Sequence, residues 1–423
     1  MQQTKYMKRI KQGVYGLALM GASLMSSHAI AQPKKEEITK AINETAKYVA
    51  DVILDKQGKS RCDYNLTEGK WYDYEVPWHT GQAVNSLLAA YKATGNKSYL
   101  DAAKRGGNYW IGMEIKDHPK LKGMVDAKHG DVLGEDFIVF ATVSDGTPGI
   151  YELSRVTKDP KYAKVATNAA DWMLKNMYYP EKGVCYDNID AKTGEVLKEY
   201  SPFWKQKEQK DQELFDVSRP NTEGSLFKDA YEFSGDAKFK DAFILLCNSL
   251  IEKQGPDGVW MRFMPNSEAA HTFHPRFSLW YAESLVEAFK LTNDRKYLEA
   301  AANTCRTFAK AQQKDGTIFY DNYTDGQKPD KGSATGSAVA LAGIVWIELS
   351  KEGYKEFDQN IEKSAVWLLK NRYATDHPDP NLRGAVVETR TRFQKGKIWL
   401  TNRDIGTSFA LRFLVDYMNF KFK

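Results

Sequence analysis

The length of 423 residues would accommodate two domains, and the formal net charge of +5 is small for a chain of this size. No basic run with interleaved aromatic residues is present, which disfavours nucleic acid as a partner. Four of the positive charges fall in a predicted export signal, so the remainder carries only about +1. Net charge therefore gives no evidence for or against an anionic ligand.

Residues 1–31 have the pattern of a cleavable export signal. Four basic residues precede a short apolar stretch, and the segment ends in a small-residue cleavage site at Ala31. The apolar stretch is shorter than the ~20 residues that a membrane-spanning helix requires. We therefore expect a mature chain that begins near Gln32, is periplasmic or secreted, and is not inserted into the membrane.

A short sequence motif, predicted to begin a helix, occurs five times along the chain. Thr or Ser with Asn or Asp supplies the helix N-cap, and a Tyr or Phe then starts an apolar helical face. The copies lie at 93–99, 156–162, 233–239, 291–297 and, one residue shorter, 349–354. Repeats of this kind indicate one supersecondary unit that cannot bury its apolar face alone. Because the repeat crosses nearly the whole chain, residues 32–423 are predicted to form a single domain.

The repeated unit is a helix hairpin, and six hairpins predict an all-α protein with the (α/α)6 toroid fold. Outer helices are predicted at 35–56, 97–112, 160–176, 237–253, 295–312 and 355–371. Inner helices, which are more apolar, are predicted at 80–93, 145–156, 222–233, 278–291, 335–349 and 405–419. A toroid of seven hairpins stays open as an alternative, because residues 134–144 have room for another helical segment.

The connections at the two ends of the predicted hairpins differ. Those that lead from an outer to an inner helix begin with glycine and are β-prone, as at Gly183, Gly258 and Gly316. Residues 384–401 are predicted to form a β-hairpin with Gly396 near its turn. The opposite connections are only a few residues long, so functional loops are expected at the rim where the inner helices begin.

The cysteines do not predict an obvious disulfide. Cys247 and Cys305 share one repeat position, where the other copies have glycine or alanine and an outer helix must pack closely on an inner one. Equivalent positions in adjacent hairpins are too far apart for the ~5.5 Å Cα separation of a disulfide. We expect both to be buried thiols, and the oxidation state of Cys62 and Cys185 stays open.

Aromatic and polar residues gather at the predicted starts of the inner helices. The segments concerned are 71–79, 218–223, 271–281 and 401–404. Flat aromatic faces beside Arg and Asn donors suit sugar rings with carboxylates, because arginine pairs with a carboxylate in a fork. Helix N-termini at the same rim also favour anions. The expected partner is therefore an anionic polysaccharide.

Two segments are informative beside the repeat architecture and the loops, namely His274-Pro-Arg276…Tyr281 and Arg219-Pro-Asn221. In these features the chain resembles secreted toroidal polysaccharide lyases of Bacteroidetes. The likeness is greatest to polysaccharide lyase family 38. The Asn-Asn-His and Tyr-x-x-x-Tyr stretches of another toroidal alginate-lyase family are absent. The resemblance implies β-elimination across C4–C5 of a uronic acid in alginate, mannuronan or glucuronan.

Such an elimination requires a neutralised carboxylate, a base at C5 and an acid for the leaving O4. A tyrosine beside an arginine can serve both proton transfers, because the cation lowers the pKa of a phenol. We assign Tyr281 as this base or acid and His274 as its partner. Arg276, Asn221 and His79 are assigned to the substrate carboxylate.

A second group is assigned to substrate binding. Its members are Trp78, Arg219, Glu223, Trp260, Arg262, Trp280 and Arg403. The assignment of Tyr281 is the least secure, because the repeat places it one step away from the polar helical face. Tyr72, Tyr74, Tyr320 and Tyr323 are the alternatives.

Three other functions stay open. An unsaturated-uronyl hydrolase of the same fold would use a pair of carboxylates. The acids available for this are Asp136, Asp145, Glu223 and Asp404. An epimerase would use the same proton abstraction without expelling O4, and a non-catalytic glycan-binding protein would use the aromatic rim alone.

No cofactor is predicted. The sequence lacks an H-E-x-x-H motif, a Cys/His cluster and a G-x-S-x-G elbow, which disfavours a catalytic transition metal and a hydrolase serine. A structural calcium ion is possible near Asp187, Asp190 and Asp321. The sequence carries no prediction of oligomeric state.

Overall fold

Twelve of the described helices form six hairpins in a ring. A computed structural model describes residues 32–129, 137–201, 213–221, 224–327, 333–394 and 397–423, and the chain from Gln32 to Lys423 makes one compact unit. The inner helices are α2 (Val76–Thr94), α5 (Thr147–Thr157), α8 (Leu226–Ser234), α10 (Phe277–Thr292), α12 (Gly336–Lys351) and α14 (Asp404–Phe422). The outer helices are α1 (Lys35–Tyr48), α3 (Lys97–Gly112), α6 (Pro160–Asn176), α9 (Ala237–Lys253), α11 (Lys296–Ala311) and α13 (Asp358–Lys370). Because α14 packs against both α12 and α2, the last inner helix closes the ring.

This arrangement confirms the predicted (α/α)6 toroid. A π-helical turn, Val49–Ile53, extends α1, and a 3₁₀ turn, Lys355–Phe357, leads into α13. Two further helices are short, α4 (Phe140–Ser144) and α7 (Leu214–Val217). Helix α4 runs directly into α5, so the described part of 134–144 adds no seventh hairpin.

The repeated motif begins a helix, as its residue types predict. Asn96, Asp159 and Asp236 each accept a hydrogen bond at the helix N-terminus from the backbone N–H two residues ahead. The aromatic residue that follows, such as Tyr99 or Tyr297, is buried and begins the apolar face that packs on the inner ring. Helices α3, α6 and α9 are thus fixed at the start by a cap, and burial of the apolar face fixes the outer helices along their length.

The glycine-led connections are fixed by contact with the next outer helix. Gly258 and Gly316 have φ values of +74° and +96°, and an added Cβ would lie 2.5 Å and 2.6 Å from backbone oxygens of α11 and α13. A glutamine lies four residues before each glycine, at Gln254 and Gln312. Its side-chain amide donates hydrogen bonds to the carbonyl of that glycine and to the next outer helix. The connection is therefore a repeated structural device, which explains why it begins with glycine.

Within the described ranges, eleven short strands lie on the rim where the inner helices begin. They are β1 (Asp63–Asn65), β2 (Lys70–Tyr72), β3 (Phe137–Val139), β4 (Tyr178–Tyr179), β5 (Val184–Tyr186), β6 (Asn188–Asp190), β7 (Ser218–Arg219), β8 (Thr272–Phe273), β9 (Asn322–Tyr323), β10 (Thr389–Gln394) and β11 (Lys397–Arg403). The largest sheet has the order β10-β11-β1-β2. The pairing of β10 with β11 confirms the predicted hairpin, although Gly396 itself lies outside the described residues.

The antiparallel pairing of β1 with β11 joins the two ends of the toroid. Asp63 lies opposite Arg403, so the start of the first inner helix and the start of the last share one sheet. This pairing brings the segment before α2 beside the segment before α14.

All four cysteines are buried and unpaired. Burial raises the pKa of the Cys185, Cys247 and Cys305 thiols, and Cys62 is equally buried. The prediction of buried thiols at Cys247 and Cys305 is therefore confirmed. Separately, no helix in the described part of the chain is both long and apolar enough to cross a bilayer.

Helices α2 and α5 approach each other to backbone contact. An added Cβ on Gly81 would lie 2.0 Å from the carbonyl oxygen of Gly146, and one on Gly149 would lie 2.2 Å from that of Gly81. This contact sets Gln82 against Asp145, whose backbone oxygen accepts from the Gln82 amide. Glycine at these positions therefore controls how closely two rim segments meet.

Replacing Gly81 by alanine should destabilise the protein by about 3 kcal/mol, because a backbone carbonyl cannot move away as a side chain can. Urea unfolding measures the change. The matched control is Gly112→Ala, where an added Cβ meets nothing within 4 Å and the expected change is neutral or slightly stabilising. Equal stability of the two variants would contradict the close approach of α2 and α5.

Candidate active site

Four arginines converge on the rim at the starts of the inner helices. Arg219 lies before α8, Arg276 before α10, Arg403 before α14, and Arg390 on β10. His274 lies where they meet. Its pKa is held well below its ordinary value, first by burial and then by the positive charges of the four arginines. His274 is therefore neutral at physiological pH, and four guanidinium groups line one wall of the site, which we call the arginine wall.

Arg276 is fixed by the start of α12. Its Nη1 donates to Glu388 Oε1 and Ser337 Oγ, both at 3.1 Å, and the other Glu388 oxygen accepts from the Ser337 backbone N–H at 2.7 Å. The Arg276 Nε–H has no acceptor among the described residues. A buried donor without an acceptor is costly, so this atom has bonding capacity left for a ligand.

Arg403 is held by a buried chain of hydrogen bonds. Its Nε donates to Asp63 at 2.9 Å, and its Nη2 lies 3.2 Å from His79 Nε2. Because a guanidinium only donates, His79 Nε2 must accept, and the hydrogen resides on Nδ1, which contacts Asp404. The second Asp404 oxygen accepts from the Ser60 hydroxyl. His79 therefore orients Arg403. Because both its ring nitrogens are engaged, it is not free to bind a substrate carboxylate, which contradicts the role predicted from the sequence.

The other two arginines differ in how they are neutralised. Arg219 lies 3.3 Å from the carboxylate of Asp187, donates to the Met264 carbonyl at 2.9 Å, and stacks on Phe277. Arg390 is half-buried and has no carboxylate within ion-pairing distance in the described part of the chain. Of the four cations, Arg390 is thus the one with its charge most available to a ligand.

Tyr320 lies beside Arg276 and Arg390, at one end of this arginine wall. Its ring is 4.9 Å from the Arg390 guanidinium and 5.9 Å from that of Arg276. Its hydroxyl lies 3.1 Å from His274 Nε2, while His274 Nδ1 accepts from the Arg276 backbone N–H at 3.2 Å. Since Nδ1 accepts, the hydrogen of the neutral ring is on Nε2 and is donated to the Tyr320 oxygen.

Two of the predicted aromatic binding residues form a sealed inner wall. The rings of Trp78 and Trp280 are 5.7 Å apart in an edge-to-face arrangement, and the residues are only 4% and 3% exposed. Arg276 lies near both rings, and Arg403 lies 5.5 Å from Trp78. The two tryptophans therefore support the arginines, and they are not open stacking platforms for a sugar.

Tyr281 is placed away from this wall, which corrects its assignment as the base or acid. It is 1% exposed, and its ring packs edge-on against Trp260 at 5.2 Å. Trp260 is equally buried and donates to the Leu250 carbonyl. Both residues fill the space between α10 and the connection after α9, because successive helical positions turn by about 100° and Trp280 takes the axial side.

The remaining assignments also change. The Asn221 amide donates to Cys247 Sγ at 3.8 Å, so this donor, assigned to the substrate carboxylate, bonds to the outer helix α9. Arg262 is exposed and stacks on Phe215 at 4.0 Å. Glu223 and Asp136 lie outside the described residues.

Arg390 and Glu388 were not predicted as site residues, and Tyr320 was named only as an alternative. Glu388 and Arg390 lie two apart on an extended segment and so share one face. The predicted hairpin at 384–401 was the available signal, because it placed charged residues next to the rim. The sequence alone did not reveal which strand the hairpin would pair with.

An axial cavity of about 540 Å³ lies inside the ring of inner helices. Gln82, Asp145 and Trp280 line the end nearest the rim, and Lys92 and Lys423 line the opposite end. Trp280 is thus shared between this cavity and the arginine wall. Of the acids considered for hydrolysis, Asp145 lines the cavity, whereas Asp404 is engaged with His79 and Ser60.

Two of the three acids at the predicted calcium position have other interactions. Asp187 pairs with Arg219, and Asp190 accepts from the backbone N–H groups of Lys192 and Thr193 in a turn. Among the residues that the structure describes, no group of three or more His, Cys, Asp or Glu side chains is arranged to hold a metal ion.

Comparison with known proteins reveals the fold and no sequence family. No family model matches the chain, and no curated protein matches it. An unsaturated glucuronyl hydrolase specific for heparin is 14% identical with a TM-score of 0.66, covering 92% of this chain and 98% of that one. Cellobiose 2-epimerase from Bacillus thermoamylovorans is 14% identical with a TM-score of 0.68, covering 91% and 100%. The unsaturated glucuronyl hydrolase of Bacillus sp. GL1 is 14% identical with a TM-score of 0.64, covering 89% and 96%.

The neutral state of His274 predicts an acid-sensitive fold. Between the ordinary pKa of 6.5 and the lower folded-state pKa, the unfolded chain binds a proton that the folded protein does not. Stability should therefore fall as the pH is lowered through this interval. Thermal unfolding at pH 7.5 and 5.0 should show a smaller loss for His274→Gln, which cannot titrate, than for the wild type. An unchanged loss would show that His274 is not buried in the neutral form.

Proposed function

We propose that the protein is an enzyme that acts on a uronate-bearing saccharide at the arginine-lined rim, and that its reaction is β-elimination. The observation that carries this proposal is the grouping of Tyr320, neutral His274, Arg276 and Arg390. Three buried arginines have carboxylate partners, whereas Arg390 has none among the residues that the structure describes, and Arg276 has a spare donor. A ligand carboxylate would satisfy both.

The chemistry of elimination matches these groups. Arg390 and the Nε–H of Arg276 would bind the carboxylate and stabilise the negative charge that spreads into it as the C5 hydrogen leaves. A donor placed for developing charge contributes about 2.7–4 kcal/mol. The Tyr320 oxygen, as phenolate, would take the C5 proton while the C5 electrons form the C4–C5 double bond and O4 departs. The hydrogen bond donated by His274 Nε2 holds this oxygen in place.

Hydrolysis of an unsaturated uronyl group is the second candidate, and the comparisons favour it. Two of the similar folds described above are unsaturated glucuronyl hydrolases. Asp145, which lines the axial cavity beside Trp280, would be the proton donor. The same arginines would bind the uronate in this reaction, so the substrate class is common to both candidates.

The cellular site of action is also a proposal. The signal-like residues 1–31 favour export, and the expected substrate is a polysaccharide or oligosaccharide found outside the cytoplasm. A processed chain that begins near Gln32, identified by mass spectrometry of periplasmic and culture fractions, would support it.

One optical assay separates the two reactions. Elimination creates a conjugated enoate, so the ultraviolet absorbance of alginate, polymannuronate, glucuronan or pectin solutions should rise on incubation with the protein. Hydrolysis of preformed unsaturated oligosaccharides destroys the enoate, so their absorbance should fall. No absorbance change with either kind of substrate would overturn the proposal.

Replacing Tyr320 by phenylalanine should lower kcat by at least about a hundredfold, because the proton acceptor is lost while the ring stays. Tyr281→Phe is the matched control and should keep near-normal kcat, since its ring lies in helix packing. Loss of turnover in Tyr281→Phe, with Tyr320→Phe active, would return the catalytic role to Tyr281.

Arg390→Gln should reduce kcat/KM by about ten- to a hundredfold for carboxylated saccharides, because the unpaired cation is removed. Arg295→Gln, at an exposed arginine near the start of an outer helix, is the charge-matched control. An equal effect of both substitutions would mean that net charge, and not the rim, controls activity.

A further inference from the structure

A second tyrosine lies on the other side of the arginine wall. Tyr74 is half-buried between β2 and α2, and its ring is 4.5 Å from the Arg403 guanidinium. The ring of His129 meets it edge-on at 4.5 Å, and that of His79 at 6.0 Å. Tyr74 therefore has the same kinds of neighbour as Tyr320, an arginine and a histidine.

The two tyrosines are joined by a continuous arc of contacts. From Tyr320 the arc passes to Arg276 at 5.9 Å and then to Trp78 at 5.7 Å. From Trp78 it passes to Arg403 at 5.5 Å and ends at Tyr74 at 4.5 Å. Each step is a guanidinium beside an aromatic ring, which is a stabilising arrangement. The arc places Tyr74 and Tyr320 at the two ends of one wall.

Arg390 connects the two ends electrostatically. Burial acts to lower its pKa, but the nearby phenols of Tyr320 and then Tyr74 raise it above the ordinary value. Both phenol groups therefore lie within electrostatic reach of Arg390, the rim arginine that has no carboxylate partner in the described part of the chain.

The backbone beside Tyr74 is held in an uncommon conformation. Glu75 has a φ of +49°, in the left-handed region, and its N–H donates to the His129 carbonyl at 2.9 Å. The Glu75 carboxylate lies 3.6 Å from His129 and 4.0 Å from Arg403. Strained residues of this kind persist where the surrounding structure fixes them, and they concentrate at functional sites.

We propose that Tyr74 is a second catalytic residue, which protonates the leaving O4 while Tyr320 removes the C5 proton. This inference rests on the proposed elimination. The Tyr74 O–H bond breaks as the C4–O4 bond breaks, and the proton goes to O4. Tyr320 gains the C5 proton, and the C5 electron pair becomes the double bond. After product release Tyr320 loses a proton to solvent and Tyr74 regains one, which restores the starting state.

Isotope exchange separates the two roles. In D2O, Tyr74→Phe should eliminate at least about a hundredfold more slowly than the wild type, yet deuterium should enter C5 of the uncleaved substrate because Tyr320 still acts. Tyr320→Phe should show neither elimination nor exchange. A substrate whose C4 substituent is a nitrophenolate, which leaves without a proton, should restore turnover in Tyr74→Phe and not in Tyr320→Phe.

Tyr72→Phe is the matched control, because Tyr72 is a neighbour whose ring contacts Trp399 and whose hydroxyl bonds to Glu68. It should behave as the wild type. Thermal unfolding and calorimetric binding of a uronate oligosaccharide would establish that each variant is folded and binds.

Two results would overturn the role of Tyr74 alone. One is elimination by Tyr74→Phe within threefold of the wild type. The other is loss of both exchange and elimination in that variant with binding intact. Absence of enoate formation by the wild type on every uronan would instead remove the proposed elimination, and the role of Tyr74 with it.

Discussion

The rim of this toroid depends on the pairing of buried arginines with buried carboxylates. Removing a guanidinium from water costs several kcal/mol unless an opposite charge and hydrogen bonds replace the lost solvation. Arg276 with Glu388, Arg403 with Asp63 and Arg219 with Asp187 are such pairs, and each residue is 3% exposed or less. Each pair also joins segments distant in sequence, so the pairing fixes both the charge of the site and the closure of the ring.

The opposite end of the inner ring uses ion pairs differently. Lys92 pairs with Glu152, Lys228 with Glu287 and Lys290 with Glu348, and each pair links one inner helix to the next. The lysines at Lys92 and Lys290 are about half exposed, so salt screens these pairs and each contributes little. The two ends of the toroid therefore differ in kind. The end with the lysines has partly exposed ion pairs, whereas the rim has buried arginine–carboxylate pairs with fixed directions, which suit the binding of a ligand.

The fold followed from the sequence because its signals are local. Caps such as Asn96 and faces such as Tyr99 to Trp110 repeat within one helix, so helix existence, type and approximate limits were predictable. The site depends on contacts that are distant in sequence. Arg403 and Asp63 are 340 residues apart, and no local pattern indicates that β11 pairs with β1. His274, Arg276 and Arg403 were found because they begin inner helices.

The errors at the site have a common physical origin. Tyr281 follows Trp280 by one residue, which is enough to turn a helical side chain from the axis of the ring into the packing between helices. Asn221 follows Arg219 by two residues but bonds to the outer helix α9. Sequence position identifies the segment that reaches a site, whereas the direction of each side chain is decided by packing that a single sequence does not encode locally.

The distribution of carboxylates bears on which reaction this rim can support. A glycosidase needs acids that can hold and release protons, yet Asp63, Asp187, Glu388 and Asp404 are each bound to an arginine or histidine. Carboxylates held in this way act as structural counter-charges. Proton transfer at the rim itself is then left to phenol and imidazole groups, which suits removal of a hydrogen beside a carboxylate. Asp145 differs because it faces the axial cavity instead of the arginine wall. Hydrolysis would therefore require the saccharide to reach past Trp280 towards the axis of the ring, whereas elimination would take place at the rim.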